Sequence, residues 1–376
     1  MTASDSVSSG PAVSVIVPAR NEEASLGACL ESLVGQTGGR CEIIVVNDGS
    51  TDRTREIAES FAGVRVIEPA PLPSGWSGKN NALTAGAHEA HGDWLLFTDA
   101  DTVHRPGSLA RSLAEAQQRG AALLSYSPEQ EVHGLAERAI MPVIFAELAS
   151  TYPPSRVSDP RSLAAAANGQ YLLISREAYD AVGGHAAVAT DLLEDVALAR
   201  AVKLSGRKIF FRYGGDAVRT RMYRTFTQLR EGWTKNLALL FPWPGRLAML
   251  RLTEFALILG SIAIAILEIA AGRWQAGALA SVVGIGMWAL FLKRIRRAHF
   301  AWDANVISLI GLPLFAYLLL CSRRAYEKGS VNWKGRSYQR HRAVNFAGRD
   351  QVMDGPIHNS RPDAGATPNQ GRTWST

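Results

Sequence analysis

Cysteine is scarce in this chain, three in 376 residues, and three thiols do not make the disulfide framework of a small secreted scaffold. Cys29 and Cys41 are expected as small buried hydrophobes, and Cys321 at a membrane edge. His104, His133 and His185 lack metal-ligand spacing, so they are read as structural or acceptor-loop residues rather than as a metal set. The opening stretch Met1 to Pro11 lacks an apolar run. It is Ser-rich and acidic, is expected to be disordered, and carries no secretory signal, which keeps the following domain on the cytoplasmic side. Acidic excess is missing as well, since the formal net charge is +6. The basic residues gather beside apolar segments: Lys293, Arg294, Arg296 and Arg297 first, then Arg323, Arg324, Lys328, Lys334, Arg336, Arg340 and Arg342. Such clusters suit anionic lipid headgroups at a cytoplasmic face, and no nucleic-acid partner is expected.

Long apolar runs are absent until residue 252 and then dominate. Leu252 to Ala271 is interrupted only by Glu254, Ser261 and Glu268, and Trp274 to Leu292 carries no charge, so both approach the roughly 20 residues that cross hydrocarbon. A third run, Val306 to Cys321, contains Gly311 and Pro313. Three full spans would carry the last basic cluster away from the cytoplasm, against the charge rule, so a re-entrant or hairpin third segment broken at Gly311 to Pro313 is expected. The chain then divides into a disordered 1–11, an α/β domain over 12–224, an interfacial amphipathic segment over 225–251, transmembrane helices over 252–321, and a basic, then disordered, cytoplasmic tail over 322–376.

Within the α/β domain short apolar strands alternate with helical patterns, the signature of a mostly parallel sheet. Strands are expected at Val13–Val17, Glu42–Val46, Val64–Ile67, Trp94–Phe97, Ala122–Tyr126, Tyr171–Ile174 and Lys208–Phe211. Helices are expected from about Glu23 to Val34, from Thr51-Asp52, from Lys79 and after Pro106, with a surface helix at Leu135–Ala149. The Pro-rich stretch Tyr152 to Pro160 is read as a mobile acceptor loop. Two strands end in acid: Ile43 to Val46 runs into Asn47-Asp48-Gly49-Ser50, and Trp94 to Phe97 into Asp99-Ala100-Asp101. Ligands of open α/β sheets bind at the carboxyl ends of the strands. Carboxylates at i and i+2 can clamp a divalent cation that completes its shell with substrate phosphates. An isolated Asp-x-Asp is more often a turn pair, but two acid-bearing strand ends favour a metal–diphosphate site with Mg²⁺ or Mn²⁺.

Taken together, Val13-Ser14-Val15-Ile16-Val17-Pro18-Ala19-Arg20-Asn21-Glu22, Val46-Asn47-Asp48-Gly49-Ser50-Thr51-Asp52, Asp99-Ala100-Asp101 and Glu194-Asp195 resemble, in order and spacing, the signatures of family 2 glycosyltransferases with the Rossmann-like GT-A fold. The resemblance covers about residues 12 to 240. The apolar carboxyl-terminal region, with Pro73 to Lys79 and Trp333 to Tyr338, resembles the lipid-modifying members of that family, the hopanoid-associated and carotenoid glycosyltransferases. It implies that Pro18, Glu22, Asp48, Lys79 and Asp99 bind a UDP-sugar, Glu22 and Asp48 through uracil and ribose. It implies that Asp101, with Asp99, ligates the metal. Glu194 and Asp195, at a helix start, become the catalytic pair, with Asp195 as general base for a lipid-like acceptor and inversion at the anomeric carbon.

A stripe of Phe226, Leu229, Trp233, Leu237 and Leu240 has helical spacing and is expected to lie at headgroup level, with Gln228, Arg230, Glu231, Lys235 and Asn236 on other faces. Processive synthases of the family carry Gln-x-x-Arg-Trp here. Gln228-Leu229-Arg230-Glu231-Gly232-Trp233 does not match, which favours a single transfer over a polysaccharide or glycan-chain synthase. The third alternative, a non-catalytic membrane scaffold, is disfavoured by the intact Asp48, Asp99, Asp101 and Asp195.

Overall fold

The computed structural model describes residues 12–36, 41–333 and 336–339. The expectations for residues 1–11 and for the tail beyond residue 339 lie outside them.

Strand β1 (Val13–Ala19) sends Val15 and Val17 into one apolar cluster and Ile16 into another, both fully buried. A strand covered on both faces reads as a continuous apolar run instead of an alternating one. The same holds for β2 (Cys41–Asn47) and β4 (Trp94–Phe97), with β3 (Val64–Ile67) at the sheet edge. Among the described residues the main sheet continues with β6 (Leu123–Ser127), β8 (Leu172–Ser175) and β9 (Ile209–Tyr213), in the order β3-β2-β1-β4-β8-β6-β9. Only β8 runs against its neighbours β4 and β6; the other pairings are parallel. A small second sheet joins β5 (Thr102–His104), β7 (Glu129–Gln130) and β10 (Val218–Thr220) beside the carboxyl end of β4. The expected α/β architecture, a mostly parallel sheet followed by apolar helices, is present.

Helices α1 (Leu26–Val34) and α4 (Ser108–Arg119) cover one face, and α3 (Gly78–Glu89) and α8 (Glu194–Leu204) the other. Helix α2 (Thr54–Glu59) starts later than Thr51-Asp52, because the Asp52 carboxylate accepts from the Thr54 N–H and hydroxyl and makes a local turn first. Two expectations fail further along. The helix expected on the surface is α5 (Leu135–Thr151), whose Ile140, Val143 and Ile144 are fully buried. The stretch read as a mobile loop holds a short helix, α6 (Pro154–Val157), started by Pro154. Val157 is buried, and Ser158 exchanges hydrogen bonds with the Phe211 backbone of β9.

After α7 (Arg176–Ala181) and α8, α9 (Phe226–Leu240) leads into α10 (Pro244–Ala270), α11 (Trp274–Ile295), α12 (Trp302–Ile307) and α13 (Gly311–Glu327). The stripe on α9 does not face lipid. Leu229, Trp233 and Leu237 are buried in a third cluster with α5 and α13, and Phe226 alone of the stripe is strongly exposed. Nor does the chain reverse at Gly311 to Pro313: α12, a tight turn at Ser308–Ile310 and α13 follow one another, so the hairpin reading is replaced by one helical run. A Cβ on Gly311 would stand 1.9 Å from the Ala139 carbonyl, so only glycine lets α13 meet α5 this closely. Three helical stretches, Pro244–Ala270, Trp274–Ala298 and Trp302–Glu327, are long and apolar enough to cross a membrane. A short hairpin of β11 (Ser330–Trp333) and β12 (Arg336–Gln339) ends the described chain and contains part of the Trp333 to Tyr338 motif.

Candidate active site

The carboxyl ends of β1, β2 and β4 open into one cleft of about 310 Å³, within the range of small-molecule sites. All eight residues singled out in the sequence line it: Pro18, Glu22, Asp48, Lys79, Asp99, Asp101, Glu194 and Asp195. Hydrogen bonds fix the end of the cleft that holds Glu22 and Asp48. Arg20 Nη1 donates to the Asp48 carbonyl at 2.7 Å, and the Asp48 N–H donates to the Ala19 carbonyl at 2.9 Å, tying the ends of β1 and β2 together. Glu22 is held through its N–H to Thr54 Oγ1 at 2.7 Å, and its carboxylate accepts from Ser25 Oγ at 2.8 Å.

The Asp99-Ala100-Asp101 turn rests on a buried polar network. Thr102 Oγ1 donates to the Asp99 carbonyl at 2.7 Å and lies 2.9 Å from Thr98 Oγ1, which donates to the Gln170 carbonyl at 2.8 Å. His104 Nε2 sits 3.1 Å from the same Thr98 hydroxyl, and burial pushes its imidazole down to about 3, so it is neutral. Thr220 Oγ1 donates to the Asp101 carbonyl at 3.1 Å. His185, equally buried and pushed down to about 3, pairs with Tyr179 at 3.0 Å. Both histidines are structural, whereas His133 is exposed beside Glu131.

The opposite wall carries opposed charges. Ser77 caps α3 by accepting from the Asn80 N–H, which fixes Lys79 in the first turn. Lys79 Nζ lies 2.8 Å from Asp99 Oδ1 and 2.8 Å from Glu194 Oε1. Burial alone would lower its pKa, but Asp99, Glu194 and Asp195 outweigh it and hold the ammonium well above its ordinary value. Glu194 is likewise buried, yet Lys79 and Lys235 keep its carboxyl below the usual range. Asp195 goes the other way: burial, then the Glu194 charge, lift it to about 6. Its carboxylate accepts from the Gly169 and Val196 N–H groups, each at 2.8 Å.

Asp99 and Asp101 present hard oxygen donors on one turn. Among the described residues no group of three or more His, Cys, Asp or Glu is placed to hold a metal ion. Two carboxylates are less than a full shell, so a cation held on this turn would draw its remaining ligands from water or a bound anion.

The motifs did not reveal the far wall. Phe145 and Leu148 of α5, Met222 and Tyr223, and Gly232, Trp233, Lys235, Asn236 and Leu240 of α9 complete the cleft. The available signal was on α9, where Lys235 and Asn236 stand off the apolar stripe. Gly232 is required there by close approach, since a Cβ would lie 2.5 Å from the Tyr223 hydroxyl.

A mostly parallel sheet with acid-bearing strand ends thus opens into an acid-lined cleft beside apolar helices. Residues 14–182 match the glycosyl transferase family 2 model. Over 236 residues it is 32% identical to a 4,4'-diaponeurosporenoate glycosyltransferase of Staphylococcus aureus (strain USA300), covering 60% of this chain and 61% of that protein. The strain MRSA252 protein matches to the same extent. The chain thus spans about three fifths of the length of these curated relatives. Among solved structures, a mannosyltransferase from Pyrobaculum calidifontis in complex with GDP-Man and Mn²⁺ is 16% identical, with 85% of this chain and 87% of that chain covered and a TM-score of 0.47. Glucosyl-3-phosphoglycerate synthase from Mycobacterium tuberculosis, in complex with Mn²⁺, UDP and glucosyl-3-phosphoglycerate, is 22% identical, with 59% and 76% covered and a TM-score of 0.39.

Proposed function

We propose that this protein is an inverting, metal-dependent glycosyltransferase that moves one sugar from a UDP-sugar to a lipid-like acceptor at the cytoplasmic face of the membrane. The observation that carries the reading is the composition of this cleft. Acids from four separated sequence motifs line it, and Phe145, Leu148, Met222, Trp233 and Leu240, on or beside helices packed against the carboxyl-terminal assembly, add an apolar lining. The relative's name, a glycosyltransferase of a carotenoid acid, is consistent with an apolar acceptor.

In this reading Glu22 and Asp48 accept hydrogen bonds from uracil and ribose. Asp99 and Asp101 would hold Mg²⁺ or Mn²⁺ together with the diphosphate, and the bound cation would offset charge gathering on the leaving group. Asp195, raised to about 6, is ionised at neutral pH and basic enough to take the acceptor proton as the acceptor attacks opposite the leaving UDP. One displacement inverts the anomeric carbon. Glu194 is tied to Lys79 and serves to hold that ammonium beside Asp99, not to accept a proton.

The test is mass spectrometry of lipid extracts incubated with the purified protein, UDP-sugars and Mn²⁺. A lipid heavier by one sugar is expected. Polymeric product, or release of UDP without any glycosylated lipid, would exclude this reading.

A further inference from the structure

We infer that Gln170 is a positioning residue, which ties the turn holding the Asp195 carboxylate to the turn that carries Asp99 and Asp101. The inference rests on the proposed transfer reaction and deepens it, adding to that site a cleft residue that none of the sequence motifs contains. Gln170 lies in the turn Asn168 to Tyr171, just before β8. The turn closes on itself: the Tyr171 N–H donates to the Asn168 carbonyl at 3.0 Å, and the Gln170 N–H to Asn168 Oδ1 at 2.9 Å. Three strands hold it. From β6, Ser125 Oγ accepts from the Asn168 N–H at 2.8 Å. From the end of β4, Thr98 Oγ1 donates to the Gln170 carbonyl at 2.8 Å, and from β10, Thr220 Oγ1 accepts from Gln170 Nε2 at 3.2 Å. The Gly169 N–H turns instead to the site itself and donates to Asp195 Oδ2 at 2.8 Å.

Two hydrogen-bonded routes therefore join the acid turn to the turn that holds Asp195. One runs from the Asp99 carbonyl through Thr102 and Thr98 to the Gln170 carbonyl, and any residue at position 170 would keep it. The other runs from the Asp101 carbonyl through Thr220 Oγ1 to the Gln170 amide, and it needs this side chain. Stability does not account for the amide. Gln170 is 4% exposed, and among the described residues its Oε1 has no hydrogen-bond partner. A buried amide with an unmet acceptor is disfavoured against an apolar side chain of similar length. What the amide adds is a fixed spacing between two groups that come from distant parts of the chain. An acceptor that must attack in line with the departing diphosphate depends on that spacing, because a misplacement of about 1 Å can cost about 10²-fold in rate.

The experiment compares wild type, Gln170→Met, Thr220→Val, Thr220→Ser, Asp195→Asn and the Gln170→Met/Asp195→Asn double variant. All are full length in lipid nanodiscs and are given the acceptor lipid that the transfer assay identifies. Mass spectrometry of the product gives kcat, calorimetry with UDP and Mn²⁺ gives a donor-side Kd, and thermal melting reports folding. Gln170→Met should lower kcat by about 10- to 100-fold while the UDP Kd and the melting temperature stay near wild type. Thr220→Val should lower kcat at least as far, and Thr220→Ser, which keeps the hydroxyl, by less. On the Asp195→Asn background Gln170→Met should cost nothing further, since a residue that acts through the base has no effect once the base is gone. Four results would overturn the inference: wild-type kcat in Gln170→Met, a full further loss on the Asp195→Asn background, a loss of UDP binding as large as the loss of kcat, or a kcat that merely follows a lower melting temperature. If Gln170→Met does not fold, the Thr220 pair decides, and equal kcat in Thr220→Val and Thr220→Ser overturns the inference. Wild-type protein that transfers no sugar to lipid would instead overturn the proposed function, and this assignment with it.

Discussion

Glu194 and Asp195 are neighbours in sequence, yet their surroundings drive their carboxyl groups apart. Lys79 at 2.8 Å keeps Glu194 charged, while burial and the Glu194 charge raise Asp195 to about 6. The catalytically useful form of Asp195 is the ionised one, so kcat should rise with pH through about 6 and then level off, and a pH–rate profile checks this. With a hydroxyl acceptor, Asp195→Asn should lower kcat by about 10²- to 10⁴-fold and remove that acid limb. With a carboxylate acceptor, already ionised at neutral pH, the loss should be far smaller. The folded-state pKa lies above the unfolded one, so the favourable contribution of Asp195 is complete below the unfolded carboxylate range, about 3.9, and disappears as pH rises through about 6. Asp195→Asn should therefore melt higher than wild type at pH 7 to 8, with the difference vanishing near pH 4; equal melting temperatures at both ends would contradict the raised value. Asp101→Asn is expected to fold and insert normally but to lose most transfer and most Mn²⁺-dependent UDP binding, because an amide is a poor hard-cation ligand. Undiminished activity in that variant would remove the metal role from the turn.

The elements that bear the acids were legible because both faces of their strands are covered by the same domain. Val13 to Val17 and Trp94 to Phe97 carry their burial in their own composition, so the sequence places β1 and β4 and the acids that follow them. Where burial depends on a distant segment, composition misleads. Leu135 to Ala149 looks like a surface helix until α9 and α13 pack over it, and the α9 stripe looks like a membrane face until α5 and α13 claim it. For the same reason Phe145, Leu148, Tyr223 and Lys235 were not legible as cleft residues: they meet the acids only through packing between helices. That packing makes its own prediction. Gly232→Ala would ordinarily stabilise a helix interior by up to about 1 kcal/mol. Here the added methyl meets the Tyr223 hydroxyl at 2.5 Å, so the variant should instead be destabilised by about 1 to 3 kcal/mol. Thermal melting decides the sign, and activity should fall with it as α9 is pushed off the cleft.

At the scale of the whole molecule the three apolar helical stretches are not equivalent. Half of the most apolar window in Trp302–Glu327 is buried inside the protein, against 11% in Pro244–Ala270 and 17% in Trp274–Ala298. Helices α10 and α11 form a hairpin that exposes Leu259, Ile266, Val282 and Ile285. Its open end is clamped to the catalytic domain by a largely buried ion network: Glu147 of α5 lies 3.2 Å from Arg251 and 3.3 Å from Arg294, and Glu254 lies 2.5 Å and 2.8 Å from the same two. Both ends of α13, in contrast, touch helices that line the cleft. Gly311 packs on Ala139 of α5, and Ser322 and Tyr326 bond to α9. We propose, from these two anchors, that α13 does not carry its following residues across. On that proposal Arg323, Arg324 and Lys328 share a side with Lys293 to Arg297, as the charge rule asks, without a re-entrant hairpin. The prediction follows for single cysteines introduced on a background lacking the three native thiols. In intact cells, a membrane-impermeant maleimide should label Ala271→Cys at the hairpin tip, while Arg324→Cys and a site beside the cleft such as Glu231→Cys should react only after permeabilisation. Labelling of Arg324→Cys in intact cells would make α13 a third span and would place the basic cluster on the far side from the catalytic domain.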